Sequence, residues 1–332
     1  MANTVENIDL LIIDTNKKSL EKHNLKNKLQ IGKTGLGAGS KPEIGKKAFQ
    51  ESKEEIKNHL EGYDLIFLVS GFGGGTGTGV LPEIAKLSKE MGILTISVIT
   101  KPFEFEGVIR KKIAEQGLKE LGNNTDSYLV IDNNKLSKIA KNNLTFLEAF
   151  RLVDEFVYKV IKEIVQLLTI PSFINLDFAD FRTIMENSGK AVIGIGISKG
   201  QDKIENVINT ALSSVLLEDY DISDANKLML NIVASQDVSY TDIKILVDTL
   251  KEKLKYRENT QVIFGARIDE NLENEIKLTL IATDFEYKSK LKHTDKHLSE
   301  KIRQTSYDET FSIYDYLEIP AYERIRLNKR KS

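Results

Sequence analysis

Short apolar runs alternate with amphipathic stretches along the first 131 residues of the chain. The runs at residues 9–14, 65–69, 93–99 and 128–131 predict buried strands, and the stretch at 105–121 predicts a helix. Strands that are apolar on both faces and separated by helices are typical of a parallel sheet covered on both sides. This pattern therefore predicts an α/β fold, in which ligands bind beyond the carboxyl ends of the strands.

A longer amphipathic pattern predicts a single core helix over residues 144–168. Its apolar positions recur at spacings of three, four and seven, as on the buried face of a helix. These positions are Leu147, Phe150, Val157, Ile161, Ile164 and Leu168. Asp154 interrupts the apolar face, and a carboxylate among apolar neighbours needs a partner.

Residues 190–285 have the pattern of a second, α+β domain. Strands are predicted at 191–197, 228–234, 261–267 and 275–282, and helices at 204–218 and 240–256. Two helices packed on a mostly antiparallel four-stranded sheet would bury the apolar positions of these segments.

Composition excludes several classes of protein. The chain has 332 residues, of which 41% are hydrophobic, and its 47 Lys and Arg nearly balance its 49 Asp and Glu. Its length suggests about two domains, and its charge favours neither nucleic acid nor a membrane. Without cysteine or an apolar run near ~20 residues, we expect a cytoplasmic protein that does not insert into a membrane. His293 and His297 lack the further ligands that a zinc site needs.

The strand predicted at 65–69 leads directly into glycines at 71, 73, 74, 75, 77 and 79, and a helix is predicted from about Val80. Such dense glycines leave backbone N–H groups uncovered, and a helix N-terminus behind them favours an anion. Thr76 and Thr78 add hydroxyl donors, and Pro82 suits the first turn of the helix. A second loop, with glycines at 35, 37 and 39, precedes a helix opened by Pro42. The two loops predict a clamp on one polyphosphate and not a flexible linker.

The glycine spacing differs from that of two common nucleotide-binding motifs. Neither G-x-G-x-x-G nor G-x-x-x-x-G-K-[ST] fits residues 71–79. Residues 32–34 (GKT) match the end of the second motif, but Asn27 occupies the position of its first glycine. A nicotinamide-dependent dehydrogenase is therefore a distant alternative.

Residues 73–79 (GGGTGTG) resemble the signature of the tubulin/FtsZ family, and residues 35–43 (GLGAGSKPE) resemble the loop with which that family contacts the γ-phosphate. The resemblance implies a tubulin-like α/β fold with a GTP-binding parallel-sheet domain. The residues that it assigns to the phosphates are Gly37, Ala38, Gly39, Gly73, Gly74, Gly75, Thr76, Gly77, Thr78 and Gly79.

The segment TKPFEFEG at 100–107 resembles the next nucleotide loop of the family. The match implies that Glu106 contacts the ribose and that Arg110 makes a further contact. Taken alone, these two residues would form an exposed i,i+4 ion pair worth a few tenths of a kcal/mol. Asn133 matches an asparagine that reaches the nucleotide, although Asp132 replaces the proline that usually precedes it.

The predicted core helix carries the pattern A-F-x-x-x-D at 149–154, which also resembles the family. The resemblance implies that Phe150 stacks on guanine and that Asp154 accepts hydrogen bonds from its N1–H and N2–H₂ groups. The residues alone favour another interpretation, with Phe150 as ordinary core and Asp154 at a solvated rim.

Residues 175–180 (NLDFAD) resemble the loop that completes the active site of a neighbouring subunit in the family. The match implies catalytic roles for Asn175, Asp177 and Asp180. A structural alternative needs only one of the two aspartates, as an N-cap. The core helix would separate this loop from the phosphate site by roughly 35 Å.

The resemblance implies a GTPase that binds GTP and GDP, with Mg²⁺ held mainly through the phosphates, and that polymerises head to tail in the bacterial division ring. Residues 315–320 (DYLEIP) resemble the family's terminal peptide, which implies docking to membrane-tethering and regulatory partners; a solvated basic tail is the alternative. A non-hydrolysing scaffold of the same fold is the strongest alternative function.

The predicted organisation has six segments. They are a nucleotide-binding domain (1–142), a central helix (143–169), an acidic loop and following helix (170–189), a second domain (190–285), a disordered linker (286–312) and a partner-binding peptide (313–332). The family's first strand, first glycine loop and first helix have no counterpart in the sequence. We therefore expect an N-terminally truncated chain that holds nucleotide poorly.

Overall fold

A computed structural model describes residues 8–139, 144–214, 217, 222, 225–255 and 259–285. The predicted linker, the terminal peptide and both histidines of the 293/297 pair lie outside the described residues. The strands are β1 (Ile12–Asp14), β2 (Lys28–Gln30), β3 (Leu65–Gly71), β4 (Leu94–Lys101), β5 (Ser127–Asp132), β6 (Gly189–Lys199), β7 (Lys227–Ala234), β8 (Gln261–Ile268) and β9 (Glu275–Thr283). The helices are α1 (Lys17–Glu21), α2 (Pro42–Glu51), α3 (Lys53–Leu60), α4 (Thr76–Glu90), α5 (Val108–Gly122), α6 (Asn133–Ile139), α7 (Phe146–Thr169), α8 (Phe178–Met185), α9 (Lys203–Leu212) and α10 (Tyr240–Leu254), with a 3-10 turn at Glu104–Glu106.

The predicted α/β fold class is confirmed. Seven strands form one sheet in the order β3-β4-β5-β6-β9-β7-β8, and β3, β4 and β5 run parallel in it. Residues 94–99 of β4 are fully buried, as a strand covered by helices on both faces requires.

Strand β3 departs from its prediction as a strand buried on both faces. It lies at the edge of the seven-stranded sheet, its apolar side chains are only partly buried, and Val69 is exposed. Strands β1 and β2 pair with each other in parallel and form a separate two-stranded sheet. Strand β2 was not predicted, because its three residues (KLQ) carry no apolar pattern.

Helix α7 is the core helix predicted from the amphipathic pattern, and it packs on residues of β4, β5, α8 and the second half of the sheet. Its buried face differs in part from the predicted one. The buried apolar residues are Val153, Val157, Val160, Ile164, Val165 and Leu167. Leu147 is exposed because the first turn of the helix extends beyond the core.

The second half has the predicted two helices and a mostly antiparallel four-stranded arrangement. β6 and β7 both pair antiparallel with β9, whereas β7 and β8 are parallel. Helix α9 ends at Leu212, earlier than predicted. Strand β6 also continues the first half of the sheet, because its residues 189 and 190 pair in parallel with β5.

Candidate nucleotide site

The first glycine segment forms a short loop between β3 and α4. Gly73 has a φ of +108°, which a residue with a side chain rarely adopts, and Gly75 is the N-cap of α4. The chain therefore turns sharply after β3 and presents the first turn of α4 at the carboxyl end of the sheet.

Helix α4 begins at Thr76 and not near Val80, so two predictions were wrong. Pro82 lies inside the helix and not in its first turn. Gly77 and Gly79 are helical, and a Cβ on them would collide with Ser70 and with Pro42, respectively. These two glycines allow α4 to pack closely on β3 and α2.

The two glycine loops lie against each other, as the clamp predicts. A Cβ on Gly75 would lie 2.7 Å from the Cβ of Ala38 and 2.7 Å from the backbone nitrogen of Lys41. The hydroxyls of Thr15 and Thr76 are 2.6 Å apart and join the end of β1 to the start of α4. Residues 37–39 and 74–76 therefore lie side by side, and the surface that they form is called the glycine cradle below.

Backbone donors on this surface are available to an anion. Within the described part of the chain, no hydrogen bond uses the N–H groups of Ala38, Gly39, Gly74 or Gly75. The N–H groups of the first turn of α4 add further donors. A Cβ on Gly39 or Gly74 would meet nothing within 4 Å, so space lies open beside these donors. The surface fits a polyphosphate.

The two predicted threonine hydroxyls have different surroundings. The hydroxyl of Thr78 is buried and accepts a hydrogen bond from the N–H of Gly73 at 2.9 Å. It stabilises the loop from within, and its predicted role as a donor to phosphate remains a prediction. Thr76, by contrast, is partly exposed, and its hydroxyl lies beside the glycine loops.

The phosphate surface continues into the loop after β4. A Cβ on Gly73 would lie 3.0 Å from the carbonyl oxygen of Arg110 and 3.3 Å from Pro102. The next residue, Phe103, is buried, and its ring lies 5.0 Å from that of Phe150 in an edge-to-face arrangement. The glycine loops, residues 100–110 and the N-terminal part of α7 thus lie next to one another, as a shared nucleotide site would require.

Four phenylalanines cluster where this loop meets α7. Phe150 also contacts Phe146 at a centroid distance of 5.1 Å, and Phe105 stacks on Phe103 at 5.0 Å. Phe105 and Phe146 are exposed, the latter by 68%. Phe150 is therefore partly covered by rings and also packs against the core around α7, so its predicted stacking on guanine remains a prediction.

Asn133 is the first residue of α6 and only 5% exposed. Its Oδ1 atom is buried and has no hydrogen-bond partner among the described residues. A buried acceptor without a partner is costly, commonly by about 1–3 kcal/mol, unless something else donates to it. This unsatisfied atom fits the predicted contact with a nucleotide.

Asp154 lies outside the buried face of α7. Partial desolvation nevertheless raises the pKa of its carboxyl group.

Glu106 and Arg110 form the i,i+4 ion pair of the structural alternative, with Nη1 and Oε2 2.6 Å apart. Glu106 also accepts from the N–H of Phe103 at 2.9 Å, so it braces its own loop. The predicted ribose contact of Glu106 and the further contact of Arg110 remain predictions.

Asn134 is a positioning residue that sequence reasoning missed. Its Oδ1 accepts from the N–H of Glu104 at 2.8 Å, and its Nδ2 donates to the carbonyl of Pro102 at 3.3 Å and to Asp132 at 3.0 Å. Lys101 lies 3.7 Å from Asp132. The loop at residues 102–104 is therefore attached to the end of β5. The only nearby signal in the sequence was the family match at Asn133.

The acidic loop lies beyond the C-terminal end of α7. Asp177 is the N-cap of α8 and accepts from the N–H of Asp180 at 2.7 Å, while Asp180 accepts from the N–H of Asp177 at 3.3 Å. Asn175 accepts from the N–H of Ser172 at 2.6 Å. The two aspartates thus share the capping role that the structural alternative gives to one, and Asp177 is exposed while Asp180 is partly exposed. The 24 residues of α7 place the loop about 36 Å from the aromatic end.

The described residues contain no group of three or more metal-ligating side chains and no helix long and apolar enough to cross a membrane. Mg²⁺ held through phosphates needs no such group.

The fold and the glycine cradle define a tubulin-like protein with a GTPase domain. Residues 2–141 match the model of the Tubulin/FtsZ family GTPase domain, and residues 189–286 match that of the FtsZ family C-terminal domain. The chain belongs to the Tubulin/FtsZ family.

Curated relatives and solved structures agree with this assignment. The chain is 38% identical to the cell division protein FtsZ of Coxiella burnetii, over 85% of this chain and 74% of that protein. For FtsZ of Aquifex aeolicus the identity is 39%, over 85% and 77%. An FtsZ dimer from M. jannaschii superimposes with a TM-score of 0.73 at 39% identity, over 82% of this chain and 79% of that one. CetZ2 from Haloferax volcanii shares the fold, with a TM-score of 0.70 at 19% identity over 89% and 88%.

Proposed function

We propose that this protein binds GTP in the glycine cradle, assembles head to tail, and hydrolyses GTP where the acidic loop of one subunit meets the nucleotide of the next. One observation carries the proposal: the cradle and the acidic loop lie at opposite ends of α7, about 36 Å apart along one rigid helix. A single chain cannot bring them together, whereas two chains in line can.

The cradle would bind the nucleotide through the chain's backbone. The unused N–H groups of Ala38, Gly39, Gly74 and Gly75 would donate to phosphate oxygens, and the N-terminus of α4 favours their negative charge. Thr76 would add a hydroxyl, while Gly73, Gly77, Thr78 and Gly79 shape the loop and hold α4 in place.

The base would lie at the aromatic end of α7. Phe150 would offer part of its ring, Asp154 would accept from the two N–H donors of guanine, and the buried Oδ1 of Asn133 would accept from the nucleotide. Adenine lacks the matching pair of donors, so this arrangement favours guanine.

The acidic loop would act on water. Asp177 is exposed and Asp180 partly exposed on a capped helix start, where they can orient or deprotonate a water molecule beside the γ-phosphate of a neighbour. Asn175 would contribute an amide to the same water. Mg²⁺ bound through the phosphates would offset their charge.

Exposed apolar side chains at both ends of α7 support head-to-tail association. Phe146 and Leu147 are exposed at its start, and Phe173, 92% exposed, and Ile174 follow its end. Apolar side chains of this size at opposite ends suit a heterologous interface that repeats along a filament.

The test mixes two variants of the full chain. Asp180→Ala should bind GTP as well as the unmodified chain does and release phosphate more slowly. Gly74→Asp should fail to bind, because it places a carboxylate among the phosphate donors, where a Cβ meets no other atom. The mixture should recover activity, since the first variant has an intact cradle and the second an intact acidic loop. Activity no greater than the sum of the separate variants, or a rate per subunit that is independent of protein concentration, would refute the shared site.

A non-hydrolysing scaffold is the second candidate, and the reciprocal capping of Asp177 and Asp180 favours it, because the capping alone explains both residues. Phosphate release from GTP by the unmodified chain separates the two functions. If the unmodified chain releases no phosphate from GTP while Asp180→Ala lowers the stability of α8, the scaffold function is the correct one.

We further propose a role at the bacterial division site, because the curated relatives are cell division proteins. The terminal peptide at 313–332 would dock to membrane-tethering and regulatory partners. Deleting residues 314–332 should abolish capture of such partners and spare polymerisation measured by sedimentation. Capture that survives the deletion would disprove the docking role.

A further inference from the structure

The acidic loop is held by β8 as well as by the helices on either side of it. Ile174 and Ala266 exchange two backbone hydrogen bonds, with N···O distances of 3.1 and 3.2 Å, in an isolated antiparallel bridge. Strand β8 is the last strand of the seven-stranded sheet, so the loop adds one residue of pairing to its free edge.

A side chain of the loop fills a notch in the same strand. Leu176 lies between Asn175 and Asp177, is buried, and belongs to the core around α7. A Cβ on Gly265 would lie 2.6 Å from Cδ1 and 2.8 Å from Cγ of Leu176. Leu176 thus occupies the space that the missing side chain of Gly265 leaves.

The backbone conformation at position 265 does not require a glycine. It lies in β8, in register with Asn231 of β7, and its φ is not positive. Alanine would fit the strand itself, so the cost of a side chain there comes from its neighbours. Leu176 is the nearer neighbour, and the Oδ1 of Asn231, at 3.1 Å, is the other.

We infer that Gly265 is a positioning residue for the acidic loop. Because Gly265 has no side chain, Leu176 can pack directly against it, and this packing fixes the positions of Asn175 and Asp177. The inference rests on the proposed role of that loop in hydrolysis. The second half of the chain, through β8, then determines how the loop meets a neighbouring subunit's nucleotide.

The displacement caused by a methyl group at Gly265 can be read from the structure. An ordinary Cβ contact needs at least 3.4 Å, so Leu176 Cδ1 would have to move by roughly 0.8 Å from its 2.6 Å position. A misplacement of about 1 Å can lower a catalysed rate by about a hundredfold. We expect Gly265→Ala to lower the turnover of GTP by about tenfold to a hundredfold, with nucleotide affinity unchanged.

The experiment uses four variants of the full chain. They are Gly265→Ala, Leu176→Ala, the double variant, and Gly122→Ala, a control whose new methyl group would meet only ordinary contacts of 3.5 Å or more. Two readouts are taken: phosphate release at saturating GTP, and hydrogen exchange of the peptide that contains the Ile174 amide. Asp180→Ala is measured alongside.

Supporting results are faster exchange at Ile174 and slower turnover in Gly265→Ala, recovery of both in the double variant relative to Gly265→Ala, and no change in Gly122→Ala. Unchanged exchange at Ile174 in Gly265→Ala overturns the inference, as does a double variant no better than Gly265→Ala alone. If Asp180→Ala leaves phosphate release unchanged, the proposed hydrolysis is wrong, and exchange at Ile174 still decides whether Gly265 positions the loop.

Discussion

The buried ion pair between α7 and β9 should be the costliest polar contact to break. Glu163 is 7% exposed in the middle of α7 and pairs with Lys277 of β9, and its second oxygen lies 3.5 Å from the hydroxyl of Thr279. Lys159 is close enough that the charge of Glu163 affects it: desolvation lowers the pKa of Lys159, and the carboxylate opposes that shift.

The two single substitutions should differ in magnitude. Glu163→Gln removes the carboxylate that pairs with Lys277 and offsets the charge of Lys159, and breaking a buried pair in this way costs about 3–5 kcal/mol. Lys277→Met leaves Glu163 beside Lys159 and the hydroxyl of Thr279, so the loss should be closer to about 1.5–3 kcal/mol, the value of a hydrogen bond to a charged group. The double variant should lose less than the sum of the two.

Urea unfolding of the four chains in a double-mutant cycle gives these free energies. The exposed i,i+4 pair of Arg182 and Glu186, 3.1 Å apart, supplies the control, because Glu186→Gln should cost less than about 1 kcal/mol. A loss in Glu163→Gln no larger than that of Glu186→Gln, or strict additivity in the double variant, would refute the argument that burial makes this pair important.

Three further predictions concern the site and the stability of the second half. Asp154→Ala should remove the preference for GTP over ATP in competition binding. In the unmodified chain that preference should weaken as the pH falls toward the raised pKa of Asp154, because a protonated carboxyl group is a weaker hydrogen-bond acceptor. Asn134→Ala should weaken GTP binding about tenfold (about 1.4 kcal/mol), since the loop at Glu104 loses its anchor, while thermal unfolding changes little. Hydrogen bonds from Ser235 and Lys203 lower the pKa of Asp237 to about 2. The ionised Asp237 therefore stabilises the fold above its ordinary pKa of 3.8, and this stabilisation is lost as the pH falls to about 2. The difference in stability between the unmodified chain and Asp237→Asn, measured by urea unfolding, should shrink over that pH range.

The elements that the sequence predicts best are those whose pattern spans many residues. The 24-residue α7 and the strands β3 to β9 lie within a few residues of their predicted bounds, because burial of a long amphipathic or apolar run leaves few alternatives. Strand β1 is shorter than predicted, and the three-residue β2 was missed. The start of α4 was mispredicted for the opposite reason. Gly77 and Gly79 resemble loop residues by propensity, yet contacts with Ser70 and Pro42, distant in sequence, make glycine necessary inside a helix.

The candidate site also combines features that the local sequence predicts with contacts that it does not. Glycine loops next to helix starts can be recognised locally, so the sequence predicts that the two loops lie together, whereas the nucleotide contacts of their residues remain predictions. The contacts of Asn134 with Pro102 and of Gly265 with Leu176 join positions 32 and 89 residues apart, as the residue numbers show. No local pattern encodes such contacts, and a single sequence cannot reveal them.

Strand β6 makes the two halves of the chain one cooperative unit. Its first two residues complete the parallel ladder of β5, and the next nine, Ala191 to Lys199, pair with β9. The core around α7 likewise includes Ile193, Met229 of β7 and Ile281 of β9. Neither half can melt without removing a strand and part of the core from the other, so heat should unfold both in a single calorimetric transition.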